Sequence, residues 1–514
     1  MLRLVRSVRN TFAPINQIPP EVFSLIPDYW GDEHTEQDLI VLTHVSRGWR
    51  EVFTSRSSLW TYLDCKDVDQ TRVYVERSGS LPLEISLRKS KDTSYCDDAL
   101  IVAVPHIGRL GSLTICAPPD TLSDLLNHFH FPAPLLTELK VVLNPRGPGP
   151  DPVIPNTLFP GHLSPLRKLS LSGVVTHLPW RNLSNLTVFE FRHPPRAMGP
   201  LFAAQLLNFF ESTPLLNRIS LHDLIPVCFN DPHGRVVPLL HLKELIIHKL
   251  PAHSTFIKHL SIQTASLVDL DFDFFTDSTP IPACLANNFN NLCNITTIYL
   301  LLNDYKRMRL IGPSGELHMF GTWATTNRSP FVAEHQFFWS LREFDLSKTQ
   351  RLTVSNFSFS PGKEIEKSPI FQTLLLMKNL RTLTLVDVNN LSFIRSLNPR
   401  RNKSRIILCP ELEELILRVE RRDWLYLQEL LEMALKRAKN FAKLASITII
   451  TPDEICSKEV FRLKRCISRV EYQLDVGLSH LDLIHNVSDW DELRYSSESD
   501  EDDEDDEDEG SSDW

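Results

Sequence analysis

Leu136-Thr137-Glu138-Leu139-Lys140-Val141 and, thirty residues on, Leu166-Arg167-Lys168-Leu169-Ser170-Leu171 share one pattern, Leu-x-x-Leu-x-Leu. In an extended chain successive side chains point to opposite faces, so the alternating leucines go to a core and the residue between them to solvent. The pattern also reads in Leu110-Gly111-Ser112-Leu113-Thr114-Ile115 and Leu186-Thr187-Val188-Phe189-Glu190-Phe191. Further copies centre on Ile219, Leu245, Leu270, Ile298, Phe344, Leu383, Leu415 and Ile447, mostly 20 to 32 residues apart. One copy is a weak signal, and strands separated by helices in an ordinary α/β domain would give the same local pattern. Twelve at this spacing point to stacked units, each with one short strand and a return by helix or loop. The expected fold class is α/β in either case.

Two steps are wider, Ile298 to Phe344 and Phe344 to Leu383. In the first, two alternating runs flank Gly312-Pro313-Ser314-Gly315, which predicts a β-hairpin near 307–321 that extends the sheet or projects from it. In the second, Arg351-Leu352-Thr353-Val354 reads as a further strand with degraded signals. Trp424 to Lys439 is an amphipathic helix with an apolar stripe of Leu427, Leu430, Leu431, Ala434, Leu435 and Ala438. Lys436, Arg437 and Lys439 suit its C-terminus. Residues 101–450 are therefore read as the stack, 451–488 as its cap and 63–100 as a connecting segment leading into it.

Net charge is −10, but Asp489 to Trp514 holds fifteen acids and one arginine, so the body is slightly basic. Eleven of the twelve residues from Glu498 to Glu509 are acidic. Like charges at that density repel and bury no core, so 489–514 reads as a disordered acidic tail, solubilising or bound to a basic partner. Ser497 and Ser499 precede acids as an acid-directed kinase requires. The nine cysteines are scattered, with no Cys-x-x-Cys, which fits reduced thiols in the cytosol or nucleus. No run of eighteen apolar residues predicts a membrane span. Met1 to Thr11 reads as a short basic lead-in, since no long apolar core follows.

Catalytic motifs are missing: no Gly-x-Ser-x-Gly, no His-Glu-x-x-His, no phosphate loop and no dinucleotide fingerprint. Asp269, Asp271 and Asp273 alternate, but a calcium loop needs glycine where Phe274 stands. His241, His248, His253 and His259 read as surface histidines. No cofactor and no metal site is expected. No basic, aromatic-interleaved patch predicts nucleic-acid binding. The outward residues of the strands are the better candidates for binding, among them Lys140, Glu190, Asp271, Tyr299 and Asp345. Their charge varies, and a target with a basic segment suits the acidic middle formed by Asp271 and Asp345.

The N-terminal stretch reads Ile18-Pro19-Pro20-Glu21-Val22, then Leu39-Ile40-Val41-Leu42-Thr43-His44-Val45-Ser46-Arg47-Gly48-Trp49-Arg50-Glu51-Val52-Phe53, then Ser58-Leu59-Trp60. Prolines suit a first helical turn. Leu39, Leu42, Val45, Trp49 and Val52 fall on one helical face, which by pattern alone is a small core or an interface hot spot.

Residues 14–62 resemble an F-box, and Val75 to Leu83 looks like the segment that follows the box in fungal F-box-like proteins. The downstream units resemble an irregular leucine-rich-repeat solenoid. The resemblance implies a three-helix docking module that grips the adaptor subunit of a cullin-RING (SCF-type) ubiquitin ligase. Ile18, Pro19, Leu39, Leu42, Val45, Trp49 and Trp60 would form its docking face. The chain would then be a non-catalytic substrate receptor, with a protein target on the solenoid and no nucleic acid or membrane. The segment between Phe23 and Gln37 departs from the family's pattern, because Pro27 ends or kinks the first helix and the spacing is long. The alternative is a repeat scaffold that joins no ligase.

Overall fold

The Leu-x-x-Leu-x-Leu copies fold alike in the computed structural model of the chain. The first leucine closes a tight turn: Leu136 N donates to Ala133 O at 3.1 Å, Leu166 N to Leu163 O at 3.1 Å and Leu186 N to Leu183 O at 3.0 Å. All three leucines are fully buried. The next two N–H groups share one acceptor in the copy before. Arg167 and Lys168 both donate to Thr137 O, and Thr187 and Val188 both donate to Arg167 O. Each copy therefore satisfies the turn backbone of the next, which a buried polar backbone requires. The chain then extends, with alternate side chains buried.

Residues 14–23, 25–26, 36–88, 97–144, 153–155, 158–159, 163, 165–176, 183–192, 201–223, 235–250, 256–262, 265–275, 294–302, 305–323, 341–342, 344–355, 369–386, 391–398, 407–418, 424–440, 442–451 and 457–474 are described. The lead-in Met1–Thr11, Pro27, most of the segment between Phe23 and Gln37, residues 475–488 of the expected cap and the acidic tail lie outside them. The chain divides into two compact units, Met1–Thr349 and Gln350–Trp514, both mixed α/β and dominated by parallel strand pairing.

The first unit opens with three helices, α1 (Pro20–Phe23), α2 (Glu36–Val45) and α3 (Arg47–Ser55). A ladder of parallel strands follows: β1 (Tyr62–Leu63), β2 (Leu83–Arg88), β3 (Leu110–Ala117), β4 (Glu138–Leu143), β5 (Lys168–Ser172), β6 (Val188–Arg192), β7 (Arg218–His222), β8 (Glu244–Leu250) and β9 (Leu267–Phe275). Helices α4 (Val68–Arg77), α5 (Asp97–Ala103), α6 (Pro119–Asn127) and α7 (Leu201–Ser212) return between them. Under the middle strands Phe189, Phe209, Phe210 and Phe256 pack together, with Phe189 and Phe209 centroids 4.5 Å apart.

The ladder starts at Tyr62, so residues 63–100 are not a mere connection; β1 and β2 are strands of the same sheet. The hairpin is part of the sheet too. β10 (Thr297–Leu302), β11 (Tyr305–Ile311) and β12 (Glu316–Trp323) form an antiparallel meander, and β12 pairs parallel with β9. The order in space is β9, β12, β11, β10. Gly312 N donates to Gly315 O at 2.9 Å and closes the turn. Gly315 has to be glycine, because an added Cβ would stand 2.9 Å from Ala265 O.

The second unit repeats the scheme with β13 (Arg351–Ser355), β14 (Thr382–Val386), β15 (Glu414–Arg418), β16 (Ser446–Thr451) and β17 (Arg469–Leu474), all parallel. Its helices are α8 (Pro369–Leu376), α9 (Leu391–Leu397), α10 (Trp424–Lys439) and α11 (Ser457–Lys464). The described part of the expected cap, α11 and β17, is thus one more helix-and-strand unit.

Two expectations are corrected. Phe344 does not centre a strand. It closes a turn onto Leu341 O, and the strand begins at Arg351. In α10 the buried face holds Leu430, Met433, Ala434 and Arg437, while Leu435 is exposed. Arg437 is no solvent-facing end charge. Its two Nη atoms donate to Leu408 O and Cys409 O, each at 2.7 Å, bracing a turn where Cys409 has φ 47°. Burial pushes the Cys409 thiol up to about 12, so it stays protonated.

Candidate docking surfaces

Ser46 breaks the chain between α2 and α3. Its backbone is extended and its hydroxyl accepts from Trp49 N at 3.2 Å, capping α3. Arg50 Nε donates to Thr43 O at 2.9 Å, so an α3 side chain satisfies a carbonyl left free at the end of α2. The two helices are thereby held as one pair.

That pair sorts the expected docking residues. Val45 is 52% exposed, and Val41, one turn earlier and unremarked in the sequence, is 60% exposed. Ile18 and Pro19 are exposed, while Leu42 and Trp49 are half-buried, the Trp49 ring standing 6.0 Å from that of Phe53. Leu39 is only 6% exposed and faces inward.

Trp60 is corrected from surface to core, at 1% exposure. Its Nε1 donates to Phe53 O on α3 at 3.0 Å. Its ring meets Tyr74 edge-on at 4.8 Å, and the Arg77 guanidinium lies 4.3 Å over it. Tyr74 and Arg77 belong to α4, so Trp60 joins the helical module to the first strands of the ladder.

The solvent face of the first unit's ladder presents rows of residues in register. Thr114, Lys140, Ser170, Glu190, Ser220 and Ile246 stand side by side, and the row continues through Asp269, His318, Arg309 and Tyr299. Lys140, Glu190 and Tyr299 are thus on one row, as expected. Asp271 is not: Asp269 occupies its place, and Asp271 sits one row nearer the strand ends. Asp345 is off the ladder altogether, exposed in a turn where its Oδ1 accepts from Ser347 N at 3.0 Å. A hydrogen bond with the Ser347 side chain foremost, then this backbone one, holds its carboxyl below the usual range.

Nor is the middle of this face acidic. Glu316 meets Arg309 at 2.7 Å and His318 at 3.1 Å. The His318 hydrogen bond foremost, then that of Arg309, takes the Glu316 carboxyl down to about 2 against the opposing effect of burial. At the strand ends Asp223 binds Arg192 at 3.0 Å and Lys249 at 2.7 Å. Burial raises the Asp223 carboxyl, but the hydrogen bond and charge of Lys249 and the charge of Arg192 outweigh it and hold it low. His222 stacks on His248 at 4.6 Å, and Ser220 Oγ and His222 Nε2 share a hydrogen bond at 2.9 Å. Burial first, then the charges of His248 and Arg192, pushes His222 down to about 3, so it is neutral at physiological pH.

Asp223 and Lys249 both have positive φ, 56° and 54°, and Asp223 N donates to His248 O. Neither the strain nor the ion pairs could be read from sequence, since the partners come from different units. Two of the expected surface histidines are corrected: His248 is half-buried in this cluster, and His259 is buried with Nδ1 2.7 Å from Arg235 O. His241 is exposed, and His253 lies outside the described residues. Among the described residues no group of three or more His, Cys, Asp or Glu is placed to hold a metal ion, and no helix is long and apolar enough to cross a membrane.

Chemically, these surfaces can bind but offer no obvious reacting group. The N-terminal pair presents two adjacent exposed valines, and on the ladder Glu316, Asp223, Glu138 and Glu244 are already matched to cations. No family model matches the chain, and no curated protein matches it either.

Proposed function

We propose that the chain is a non-catalytic substrate receptor of an SCF-type ubiquitin ligase, docking the adaptor through residues around α2 and α3 and holding a protein target on the repeat ladder. The observation that carries this reading is the exposed pair Val41 and Val45 on a capped helix pair whose sequence resembles an F-box. Two adjacent exposed valines on a rigid helix have the character of an anchor for a partner's apolar pocket. Trp60 then fixes this anchor to the ladder, so a target bound there is held near the ligase and its effective concentration rises. Such a receptor works in the cytosol or nucleus, and cullin reaches it only through the adaptor.

The test is co-purification of the full chain with the ligase adaptor, beside full-chain Val41→Asp and Val45→Asp variants. Both positions are exposed, so the far-UV circular dichroism stays that of the wild type. Adaptor affinity falls at least about 30-fold, as for an interface anchor worth roughly 2 kcal/mol. Wild-type affinity in both folded variants sinks the docking face. A wild-type chain that is folded and fails to bind sinks the ligase reading. Burial of Leu39 and Trp60, two of the seven expected docking residues, favours the second reading in that case: a repeat scaffold with an apolar anchor for some other partner.

A further inference from the structure

Several cations of the described surface have a carboxylate beside them. Lys168 faces Glu138, Arg218 faces Glu244, Arg192 faces Asp223 and Arg395 faces Glu429. α11 and the turn after it present a different surface, cations around an exposed aromatic ring. Leu463 in the helix and Ile467 just past it are buried, while Lys458, Phe461 and Arg462 on the helix and Arg465 in the turn after it are all exposed. Their spacing of three, four and seven residues puts them on one face. Lys464 is exposed beside them. Among the side chains described, which do not include that of Glu459, no carboxylate stands within ion-pair distance of these four cations.

Phe461 sits in the middle of this face at 61% exposure, with the Arg465 guanidinium 5.3 Å over its ring. A large apolar ring among exposed cations is costly to leave in water and to leave uncovered. From Lys436 to Arg469 the sequence holds nine cations and three acids, a local charge of +6 in a chain whose total is −10. The compensating charge is in one place, the acidic run Glu498–Glu509.

We propose that the cationic face of α11 and the turn after it, Lys458, Phe461, Arg462 and Arg465, is the docking site of the chain's own acidic segment Glu498–Glu509. Charge complementarity chooses the occupant: eleven acids in twelve residues against four exposed cations. Reach permits it. Twenty-three residues separate Leu474 from Glu498; at coil dimensions of roughly 5–6 Å × √n they span about 25 Å. The helix itself is about 12 Å long at 1.5 Å per residue. Tethering makes the contact intramolecular, so weak exposed ion pairs suffice at high effective concentration. Tyr495 and Trp514 flank the acids in sequence and supply apolar surface for Phe461. The tail thus screens a surface that would otherwise attract polyanions. The inference stands apart from the adaptor reading.

Carbodiimide coupling of the full chain tests it, because the reagent joins a carboxylate to a lysine amine only where the two touch. At 50 mM salt the expected products link residues 498–509 to Lys458 or Lys464, independently of protein concentration. They fall at least about fivefold at 500 mM salt, where the Debye length is near 4 Å. In a second arm a 30-base-pair DNA duplex is titrated into the wild type and into a full-length variant with the acids of 498–509 changed to Asn and Gln. The neutral-tail variant binds at least about tenfold more tightly, and adding Lys458→Glu, Arg462→Glu and Arg465→Glu removes the gain. Coupling spread evenly over the lysines of the chain overturns the proposal. So does coupling that rises with protein concentration, which assigns the face to a second copy. Equal DNA affinity with and without the acids overturns it as well, since the face is then open to nucleic acid.

Discussion

Trp60→Phe separates a core tryptophan from a docking tryptophan. Phenylalanine keeps a ring against Tyr74 but loses the indole N–H and with it the buried hydrogen bond to Phe53 O at 3.0 Å. A lost hydrogen bond costs about 0.5–1.5 kcal/mol. The missing part of the indole leaves a void of roughly 40 Å³, worth about 1 kcal/mol at ~24 cal/mol per Å³. The sum is about 1.5–2.5 kcal/mol, and it falls where α3 meets α4. Hydrogen exchange of the full chain reads it locally, which suits a repeat protein whose unfolding is not two-state. Amides of α3 and α4 should exchange roughly 10- to 60-fold faster, at about 1.4 kcal/mol per factor of ten. Amides of β7 and β8 should not change. Adaptor affinity, scaled to folded protein, should stay at the wild-type value. Unchanged exchange in α3 and α4 would refute the joint, and lost binding with unchanged exchange would return Trp60 to the surface.

The remaining predictions concern the ladder and the second unit. His222 has its folded value pushed to about 3 from an ordinary 6.5, so the unfolded chain takes up a proton first as pH falls. Its contribution to stability is complete above pH 6.5 and is lost progressively toward pH 3; denaturation midpoints of His222→Asn against the wild type should converge over that window. Glu316 behaves likewise lower down, its contribution present above pH 4.5 and lost toward about 2, so Glu316→Gln should flatten the acid limb of the same curve. Gly315→Ala forces a Cβ to 2.9 Å from Ala265 O, and a calorimetric scan should show a loss of about 1–3 kcal/mol. Arg437→Lys replaces a fork that reaches two carbonyls with a single ammonium, and urea titration of the second unit should show a loss of about 1–3 kcal/mol.

Strands were legible where both the turn residue and the alternating residues are leucines. The leading position of the β13 unit is Thr349, buried with its hydroxyl on Ile295 O, and a search for leucine slides to Phe344 instead. β17 follows Ile467-Ser468-Arg469-Val470-Glu471-Tyr472, the same geometry in β-branched and aromatic residues. In β9 the run Leu267 to Phe272 alternates long enough to fit the pattern twice. Choosing Leu270 over Val268 slips the register by two, which keeps every side chain on its face but moves Asp271 into the place of Asp269. The docking residues were harder to read. A helical stripe does not say which of its members are spent on the core, so Leu39 and Trp60 look like Val45 until the packing is known. Arg437 shows the converse: its position continues the buried stripe of α10, but its charge argues for solvent.

What remains for binding follows from which surface groups already have partners. Along the first ladder Glu316, Asp223 and Glu138 are matched to cations from neighbouring strands, and a visiting charge gains little there beyond exchanging one ion pair for another. A target on that face would therefore be selected by shape and by the half-buried row of Thr114, Ser170 and Tyr299 rather than by net charge. Two other exposed surfaces differ in kind, apolar at the N-terminal helix pair and cationic around α11. An apolar anchor tolerates salt, because its driving force is the removal of surface from water. A cationic face does not, because exposed charges are screened within about 8 Å at physiological ionic strength. Raising salt on the full chain therefore separates the two surfaces in one titration: contact through Val41 and Val45 should persist while the tail leaves α11. If both weaken in step, the N-terminal contact is electrostatic and the exposed valines are not its anchor.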